Sequence, residues 1–229
     1  MGQLIIIEGG DGSGKATQTA KLLERLQAEG YKARSVSFPN YDSPAAEPIK
    51  MYLRGDFGKE ASSVNAYVAS TLYAIDRFAS FRQDWQRFYK DDGIIIADRY
   101  TTSNMVHQMI KYTDLEERKT FLQWLDQLEY DLYGLPRPDA VILLDMPLSL
   151  SEALLAERTG KTGGNTGDIH EQDRSHLIAV HDAYDMLVST YDWHRVHCGN
   201  ENDQLRTIDD IHEEVYGIVK QCINSHNML

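Results

Sequence analysis

The chain has 229 residues, of which 23 are basic and 35 are acidic, giving a formal net charge of −12 at pH 7. This acidic balance argues against binding to nucleic acid or to an anionic membrane surface. The sequence contains no run of about 20 apolar residues, the length that a membrane span requires. Its two cysteines, Cys198 and Cys222, are too few for a disulfide framework. We therefore expect a cytoplasmic protein without nucleic-acid or membrane partners.

Apolar runs alternate with segments of helical periodicity along the chain. The predicted strands are Leu4–Ile7, Ala33–Phe38, Gly93–Ala97, Ala140–Asp145 and Arg195–Cys198. The predicted helices are Lys15–Glu29, Ala46–Leu53, a long one near Val64–Tyr89, Ser103–Ile110, Leu115–Tyr130, Leu150–Arg158, Asp173–Ser189 and Ile208–Asn224. This alternation predicts an α/β fold, in which a parallel sheet carries helices on both faces and binds ligands at the carboxyl ends of its strands. The length favours a single domain over residues 1–229.

A glycine-rich turn, residues 9–17, joins the first predicted strand to the first predicted helix. Its glycines allow several backbone N–H groups to converge, and the positive end of the following helix adds to this phosphate-binding nest. Lys15 supplies a full charge for the β- and γ-phosphates of a nucleotide. The usual P-loop has Ser or Thr after this lysine to bind magnesium, whereas this chain has Ala16. We predict a nucleoside triphosphate site, with an ordinary strand-to-helix turn as the alternative.

A second motif, residues 93–108 (GIIIADRYTTSNMVHQ), places two charged residues, Asp98 and Arg99, at the end of an apolar strand. Charges at such a position require partners, because removing them from water is costly. Both residues are predicted to emerge at the sheet edge that carries the glycine-rich turn. A salt bridge between Asp98 and Arg99 inside the protein is the alternative to a functional site.

One glycine-dense segment, Thr159–Asp168 (TGKTGGNTGD), lies between two predicted helices. Loops of this length without secondary structure are usually functional or disordered. We predict that residues 159–168 form a mobile lid, which would also exclude water from reacting phosphates. The acidic residues at its end, Asp168 and Glu171, alternatively have the spacing of a helix capping box.

Six segments of the chain resemble the thymidylate kinase family in their order and approximate spacing. They are EGGDGSGKATQ, FPNY, LYAIDR, DRYTTSNMVHQ, DMP and DIHE, and they extend from Glu8 to Glu171. The resemblance implies a P-loop nucleoside monophosphate kinase with a five-stranded parallel sheet and a lid, acting as a homodimer. It also implies that the γ-phosphate of ATP is transferred to dTMP with the help of Mg²⁺, giving dTDP and ADP in the synthesis of dTTP.

The resemblance implies roles for individual residues around the donor. The ATP-binding turn would consist of Gly9, Gly10, Asp11, Gly12, Ser13, Gly14, Lys15, Ala16 and Thr17. Arg99 would bind the acceptor phosphate, for which its planar guanidinium is suited. Asp98 would lie near Mg²⁺ and contact it through water. Because Gly12 stands where some family members have an arginine, the remaining catalytic cation would be Arg158 or Lys161 of the lid.

On the acceptor side, the resemblance implies that Asp11 hydrogen-bonds the sugar 3′-hydroxyl. Tyr73 would stack on thymine, and Arg77 would reach a base carbonyl from the same face of a helix, since about four residues make one turn. The other dTMP-binding residues would be Phe38, Tyr41, Ser103, Asn104, His107, Gln108, Asp168 and Glu171. His107 replaces a tyrosine that crowds the ribose 2′-position in relatives, so we expect a looser preference for deoxyribose.

These roles have structural and functional alternatives. Tyr73 could belong to the hydrophobic core, and Arg77 could form a surface ion pair with Asp76 or Asp84. The protein could act on another nucleoside monophosphate or on a deoxynucleoside. Ala16 leaves open a module that senses nucleotides without turning them over, whereas the charge of −12 argues against a DNA-associated ATPase.

Overall fold

The computed structural model describes residues 2–60, 63–151, 174–202 and 204–226. Within these ranges five strands form one sheet: β1 (Gln3–Glu8), β2 (Ala33–Ser37), β3 (Ile94–Asp98), β4 (Ala140–Asp145) and β5 (His194–His197). Neighbouring strands are parallel, in the order β2-β3-β1-β4-β5. The predicted five-stranded parallel sheet is confirmed.

Helices connect the strands and follow the last of them. They are α1 (Lys15–Ala28), α2 (Glu47–Leu53), α3 (Ala66–Ser80), α4 (Gln86–Lys90), α5 (Thr101–Met109), α6 (Leu115–Asp126), α7 (Arg174–Tyr191) and α8 (Ile208–His226). A π-helical turn, Phe81–Trp85, joins α3 to α4, so the predicted long helix is continuous but changes its winding. A second π-turn, Gln127–Leu132, follows α6. No helix in the ranges given above has both the length and the apolarity to cross a membrane.

Side chains of β1 alternate between two hydrophobic cores, one on each face of the sheet. Leu4 and Ile6 pack in a core shared with α5, α6 and α7. Ile5 and Ile7 pack in a core shared with α1 and α8. All four side chains are fully buried, each contributing about 1.5–3 kcal/mol to folding. Because helices cover both faces, the strand is an uninterrupted apolar run rather than an alternating one.

The strand register brings the carboxyl ends of four neighbouring strands, β2, β3, β1 and β4, together. Ile7 of β1 and Ser37 of β2 both pair with Asp98, the last residue of β3. Glu8, which ends β1, pairs with Leu143 near the end of β4. The glycine-rich turn and the Asp98–Arg99 motif therefore leave the sheet at the same edge, as predicted for a ligand site in a parallel sheet.

Candidate functional site

The glycine-rich turn between β1 and α1 adopts backbone angles that glycine tolerates best. Gly9, Gly12 and Gly14 have φ angles of +153°, +77° and +86°, a range that other residues rarely enter. Gly14 is the N-cap of α1, and no side chain caps the helix there. The amides in the first turn of α1 therefore keep hydrogen-bonding capacity and partial positive charge for an anion. This arrangement is suited to binding phosphate.

Lys15, the first residue of α1, lies over the turn and is almost fully buried. Its ammonium donates hydrogen bonds to the carbonyl oxygens of Gly9 (2.9 Å) and Gly10 (2.8 Å). Burial, together with the neighbouring positive charge of Arg99, lowers the pKa of Lys15 to about 8. The charged form is therefore costly in this environment, and the phosphates of a bound nucleotide would offset that cost.

The lowered pKa of Lys15 predicts an alkaline limit to nucleotide binding. Below a pH of about 8 the ammonium is charged, and above it the free protein loses this charge. We expect kcat/KM for ATP to fall about tenfold per pH unit above this pKa, because kcat/KM reports on groups of the free enzyme. The measurement is a steady-state pH profile at an acceptor concentration well below its KM, so that the free enzyme is the form that binds ATP. In Lys15→Arg the charge persists over this range, so an unchanged alkaline limb in that variant would contradict the assignment.

Glu8 is a buried carboxylate that joins four segments at the end of β1. Its side chain is 0% exposed. Oε1 accepts hydrogen bonds from the backbone N–H of Gly9 (3.0 Å) and from the hydroxyl of Tyr184 on α7 (3.1 Å). Oε2 accepts from the hydroxyls of Thr102 (2.7 Å) and Ser103 (2.8 Å) at the start of α5. The carboxylate thus links the glycine-rich turn to two helices, α5 and α7.

Arg99 follows β3 and forms ion pairs with two carboxylates. Its Nη2 lies 2.6 Å from Oδ1 of Asp11, and its Nη1 lies 3.6 Å from Oε1 of Glu8. Among the described residues, Glu8 and Asp11 are the carboxylates that form ion pairs with Arg99. The alternative, a salt bridge between Asp98 and Arg99, is therefore wrong. The φ angle of Arg99 is +64°, a strained conformation that is typical of functional sites. Burial would lower the pKa of Arg99, but Asp11 and Glu8 outweigh it and raise the pKa, so the charge is permanent.

Asp11 lies on the glycine-rich turn, opposite Arg99. Burial alone would raise the pKa of Asp11. The charges of Arg99, Lys15 and His107 outweigh burial and hold the pKa of this carboxyl below its usual value. Asp11 is therefore an ionised group at neutral pH, and the half-buried His107 of α5 is close enough to influence it.

Asp98, the last residue of β3, is electrostatically different from Asp11. Burial raises its pKa, and the nearby carboxylates of Glu8 and Asp11 act in the same direction. Lys15 and Arg99 oppose this increase without cancelling it. Within the described ranges no side-chain hydrogen bond to Asp98 is formed, so its oxygens are available to a cation or to water.

Arg77 of α3 is buried in an ion pair with Glu129 of the second π-turn. The two side chains are 2% and 0% exposed. Nε of Arg77 donates to Oε2 of Glu129 (2.6 Å), and Nη2 donates to Oε1. A third donor, Nη1, bonds the carbonyl oxygen of Tyr100 at 3.3 Å. The guanidinium is therefore fixed in one orientation.

The alternative surface pair of Arg77 with Asp76 or Asp84 is wrong. Asp84 instead binds Arg34, with 2.6 Å between Oδ2 and Nη2. Asp76 is buried, and its Oδ2 accepts a hydrogen bond from the backbone N–H of Asn40 at 2.8 Å. This bond ties α3 to the loop after β2, and burial raises the pKa of Asp76 in spite of it.

Two amide side chains of α5 lie against α3. Nδ2 of Asn104 donates to the carbonyl oxygen of Ser70 (3.1 Å) and to Oε1 of Glu129 (3.4 Å). Gln108, one turn later, is 1% exposed, and its Oε1 is buried without a hydrogen-bond partner in the described part of the chain. The same is true of Oγ of Ser70. Buried polar atoms of this kind require a partner, which is an ordered water or a polar group of a ligand.

The predicted aromatic residues differ in their environments. The ring of Phe38 is buried and lies 5.9 Å from that of Tyr100 between centroids. Tyr41 is 49% exposed. Tyr73 is half-buried, with its ring edge-on to that of Tyr52 at 6.5 Å. Phe38 therefore contributes to the core, whereas Tyr41 and Tyr73 keep surface that a ligand can contact.

The predicted lid, residues 159–168, lies outside the described residues, and so do four predicted site residues: Arg158, Lys161, Asp168 and Glu171. Of the other predicted residues, the structure brings Asp11, Lys15, Asp98 and Arg99 together at the edge of the sheet. It places Arg77 and Asn104 around a shared carboxylate, that of Glu129. The predicted residues thus form two clusters, one around Arg99 and one around Glu129.

Two residues that hold the clusters together, Glu8 and Glu129, were not predicted from the sequence. A signal for Glu8 was present, because it is a charged residue directly after an apolar strand, the same pattern that indicated Asp98. Glu129 has no such local signal. It lies 52 residues from Arg77, and only the packing of α3 against the second π-turn brings them together.

Comparisons with known proteins match the chain to one family. The family model described as thymidylate kinase matches residues 7–208. A thymidylate kinase of Mycobacterium tuberculosis is 33% identical over 171 residues, which are 74% of this chain and 78% of the relative. The human thymidylate kinase is 26% identical, and the alignment covers 98% of this chain and 92% of the human protein.

Solved structures share the fold. The structure of thymidylate kinase from Candida albicans has a TM-score of 0.68 at 24% identity, and the match covers 97% of this chain and 93% of the Candida chain. The structure of thymidylate kinase from Ehrlichia chaffeensis has a TM-score of 0.65 at 19% identity, and the match covers 95% of this chain and 98% of the Ehrlichia chain. The fold is that of the P-loop kinases, and the family model extends over most of the sequence. The chain belongs to the thymidylate kinase family.

Proposed function

We propose that the protein transfers the γ-phosphoryl group of ATP to dTMP, giving ADP and dTDP. The observation that carries this proposal is the placement of two cations from separate segments, Lys15 and Arg99, at one edge of the sheet. Lys15 belongs to the glycine-rich turn that would bind ATP. Arg99 belongs to the end of β3 and would bind the phosphate of dTMP.

The chemistry requires positioning rather than a base. The second pKa of a phosphate monoester is about 6, so the acceptor is already largely dianionic at neutral pH. The barrier lies in bringing two polyanions together in line and stabilising the charge on the transferring group. Lys15 and Arg99 would cancel this repulsion. A lid cation, Arg158 or Lys161, would contribute on closure, together with the exclusion of water.

Asp11 would hold the guanidinium of Arg99 in place before the acceptor binds. Its carboxylate holds Arg99 at 2.6 Å. An arriving phosphate dianion competes for this guanidinium, and Asp11 is then free to accept a hydrogen bond from the sugar 3′-hydroxyl. Arg99 keeps its second partner, Glu8, throughout. The exchange of one anion for another avoids leaving a buried positive charge without a partner.

The proposal includes Mg²⁺, because the residues present could hold this ion beside the glycine-rich turn. The Asp98 carboxylate is a hard oxygen ligand beside the glycine-rich turn, whereas Ala16 offers no hydroxyl. In the parts of the chain that the structure describes, no group of three or more His, Cys, Asp or Glu side chains could hold a metal. An ion that keeps most of its waters and binds substrate phosphates needs no such group. Asp98 would contact it through water, and Mg²⁺ would neutralise phosphate charge.

The remaining predicted residues would recognise the nucleoside. Arg77 and Asn104 would contact the base, with Tyr73 stacking on it and Gln108 beside it. Phe38, Tyr41, Ser103 and His107 would line the sugar and phosphate end. Asp168 and Glu171, after the lid at residues 159–168, would complete the acceptor site. The whole chain, residues 1–229, would form one such domain.

A homodimer is supported by apolar surface on α3. Val68, Ile75 and Phe78 are 49%, 42% and 39% exposed. Their spacing places them along one side of the helix, and exposed apolar stripes mark contact surfaces. We also propose a cytoplasmic location, in keeping with two cysteines that are both free thiols, Cys198 and Cys222.

An acceptor panel tests the proposed function. ADP release with ATP and Mg²⁺ is measured for dTMP, dUMP, UMP, dCMP and thymidine. We expect dTMP to give the highest kcat/KM, exceeding dCMP by at least about tenfold, because one bidentate base contact is worth about 1–3 kcal/mol. Preference for thymidine would indicate a deoxynucleoside kinase instead. Release of no ADP with any acceptor would indicate a nucleotide-sensing module and reject the proposal.

The turnover of UMP in the same panel tests the preference for deoxyribose over ribose. We expect UMP to be a measurable acceptor, because His107 is a smaller obstacle at the ribose 2′-position than tyrosine. His107→Tyr is the matched variant, and it should reduce turnover of UMP more than that of dTMP. Equal rejection of UMP by both proteins would contradict the assigned position of His107.

A further inference from the structure

Glu129 contacts two of the residues that are predicted to recognise the base, Arg77 and Asn104. Its Oε1 accepts hydrogen bonds from both Arg77 and Asn104, and its Oε2 accepts from Nε of Arg77 at 2.6 Å. Of the six residues in the second π-turn, Glu129 is the buried one. π-turns alter the direction of side chains on a helix and occur often at functional sites. Here the turn directs a carboxylate inward, between α3 and α5.

The first consequence concerns Arg77, which is left as a hydrogen-bond donor. A guanidinium carries five N–H groups. Two are held by Glu129 and one by the carbonyl oxygen of Tyr100. The other two have no partner among the residues that the structure describes. Because an arginine has no acceptor, whatever part of a ligand meets this edge must accept hydrogen bonds.

The second consequence concerns Asn104, which is left as an acceptor. Its two neighbours, the carbonyl oxygen of Ser70 (3.1 Å) and the carboxylate of Glu129 (3.4 Å), can only accept. The NH₂ group must therefore face them, and the amide oxygen faces away. That oxygen receives no hydrogen bond from the described residues. The buried, unpartnered Oε1 of Gln108, one turn later on α5, is a second acceptor in this region.

We propose that Glu129 is a positioning residue that sets the base specificity of the acceptor site. By fixing the direction in which Arg77 donates and, together with the carbonyl oxygen of Ser70, the orientation in which Asn104 presents its amide oxygen, it selects a pyrimidine with a 4-carbonyl and a 3-NH group. Cytosine presents the opposite pattern, a 4-amino donor beside a ring acceptor. The inference rests on the proposed function and deepens it, because it names the group that enforces the choice of base.

The test compares acceptors in Glu129→Gln. Glutamine has the same shape, but its NH₂ group replaces one oxygen and cannot accept, so either Nε of Arg77 or the pair of donors from Arg77 and Asn104 at Oε1 loses its acceptor. When the NH₂ group faces Asn104, the amide of Asn104 can turn its own NH₂ group toward the base. We expect the ratio of kcat/KM for dTMP over dCMP to fall by about tenfold or more. The ratio of dTMP over dUMP should change by less than about twofold, since these bases share the same edge. KM for ATP should stay near its wild-type value.

Controls separate positioning from support of the fold. Thr101→Val removes the hydrogen bond of Thr101 to Tyr130, the residue next to Glu129, and should keep the dTMP-to-dCMP ratio within about twofold. Glu129→Asp keeps the charge but shortens the side chain, and should lower the ratio by about threefold. This variant decides the matter if circular dichroism shows that Glu129→Gln does not fold.

Each result has a defined meaning. Equal losses for dTMP and dCMP in the folded variants, with an unchanged ratio, would overturn the inference and leave Glu129 a purely structural residue. Absence of transfer to any acceptor by the wild-type protein would instead reject the proposed function. A reduced dTMP-to-dCMP ratio, with the dUMP comparison and the Thr101→Val control unchanged, supports the role of Glu129.

Discussion

Replacing Arg99 by methionine is expected to lower kcat/KM for dTMP by about 10³-fold, which is typical of losing a cation that stabilises a transferring phosphoryl group. The structure holds this guanidinium 2.6 Å from Asp11 and 3.6 Å from Glu8 before any substrate arrives. Methionine keeps much of the side chain's length and removes its charge. Steady-state kinetics should show a lower kcat and a higher KM for dTMP, with KM for ATP changed by less than about threefold.

Arg34→Met is the matched control for Arg99→Met. Arg34 also forms an ion pair of 2.6 Å, with Asp84 at the protein surface. Surface pairs contribute little, so we expect this variant to retain kcat/KM within about twofold. Because Arg99→Met leaves Glu8 buried without its positive partner, the thermal unfolding of each variant should be followed in parallel. Undiminished transfer to dTMP in a folded Arg99→Met protein would contradict the role assigned to Arg99.

Replacing Asp98 by asparagine is expected to raise the free Mg²⁺ concentration that gives half-maximal rate by about 10- to 100-fold, the effect of losing a group that orients a metal or its waters. Asparagine has nearly the same shape and lacks the negative charge. Ala16 cannot supply the hydroxyl ligand of the usual P-loop, so the carboxylate of Asp98 should carry more of the metal's binding. The measurement is a Mg²⁺ titration of the initial rate at saturating ATP and dTMP.

Asp145→Asn is the matched control for Asp98→Asn. Asp145 ends β4 as Asp98 ends β3, but its Oδ2 is already engaged by Arg195 (3.2 Å) and His197 (3.1 Å). We expect its replacement to change the Mg²⁺ requirement by less than about twofold. A titration curve of Asp98→Asn that coincides with that of the wild-type protein would rule out Asp98 as the residue that influences the metal.

The sheet and the glycine-rich turn could be predicted because their signals are local. The short apolar, mostly β-branched run Leu4–Ile7 predicts a strand covered on both faces, and the structure buries all four side chains. Glycines at the positions with positive φ indicate the turn without reference to the rest of the fold. The grouping of charged residues at one edge then follows from the rule that ligand sites lie at the carboxyl ends of parallel strands.

Other features depend on contacts between distant segments. The predicted start of α5 at Ser103 was too late, since the helix begins at Thr101. The hydroxyls of Thr102 and Ser103, in the first turn of this helix, donate to Glu8, which lies about 95 positions earlier in the chain. The partner of Arg77 is likewise set by a π-turn 52 residues away, which no local pattern indicates.

The most direct test of this account follows the γ-phosphate itself. The central claim is that Lys15 and Arg99 hold two polyanions so that the phosphoryl group passes from one nucleotide to the other and not to water. With γ-labelled ATP, Mg²⁺ and dTMP, the account predicts labelled dTDP as the main product. Label that appears only as inorganic phosphate, at a rate independent of dTMP, would contradict it.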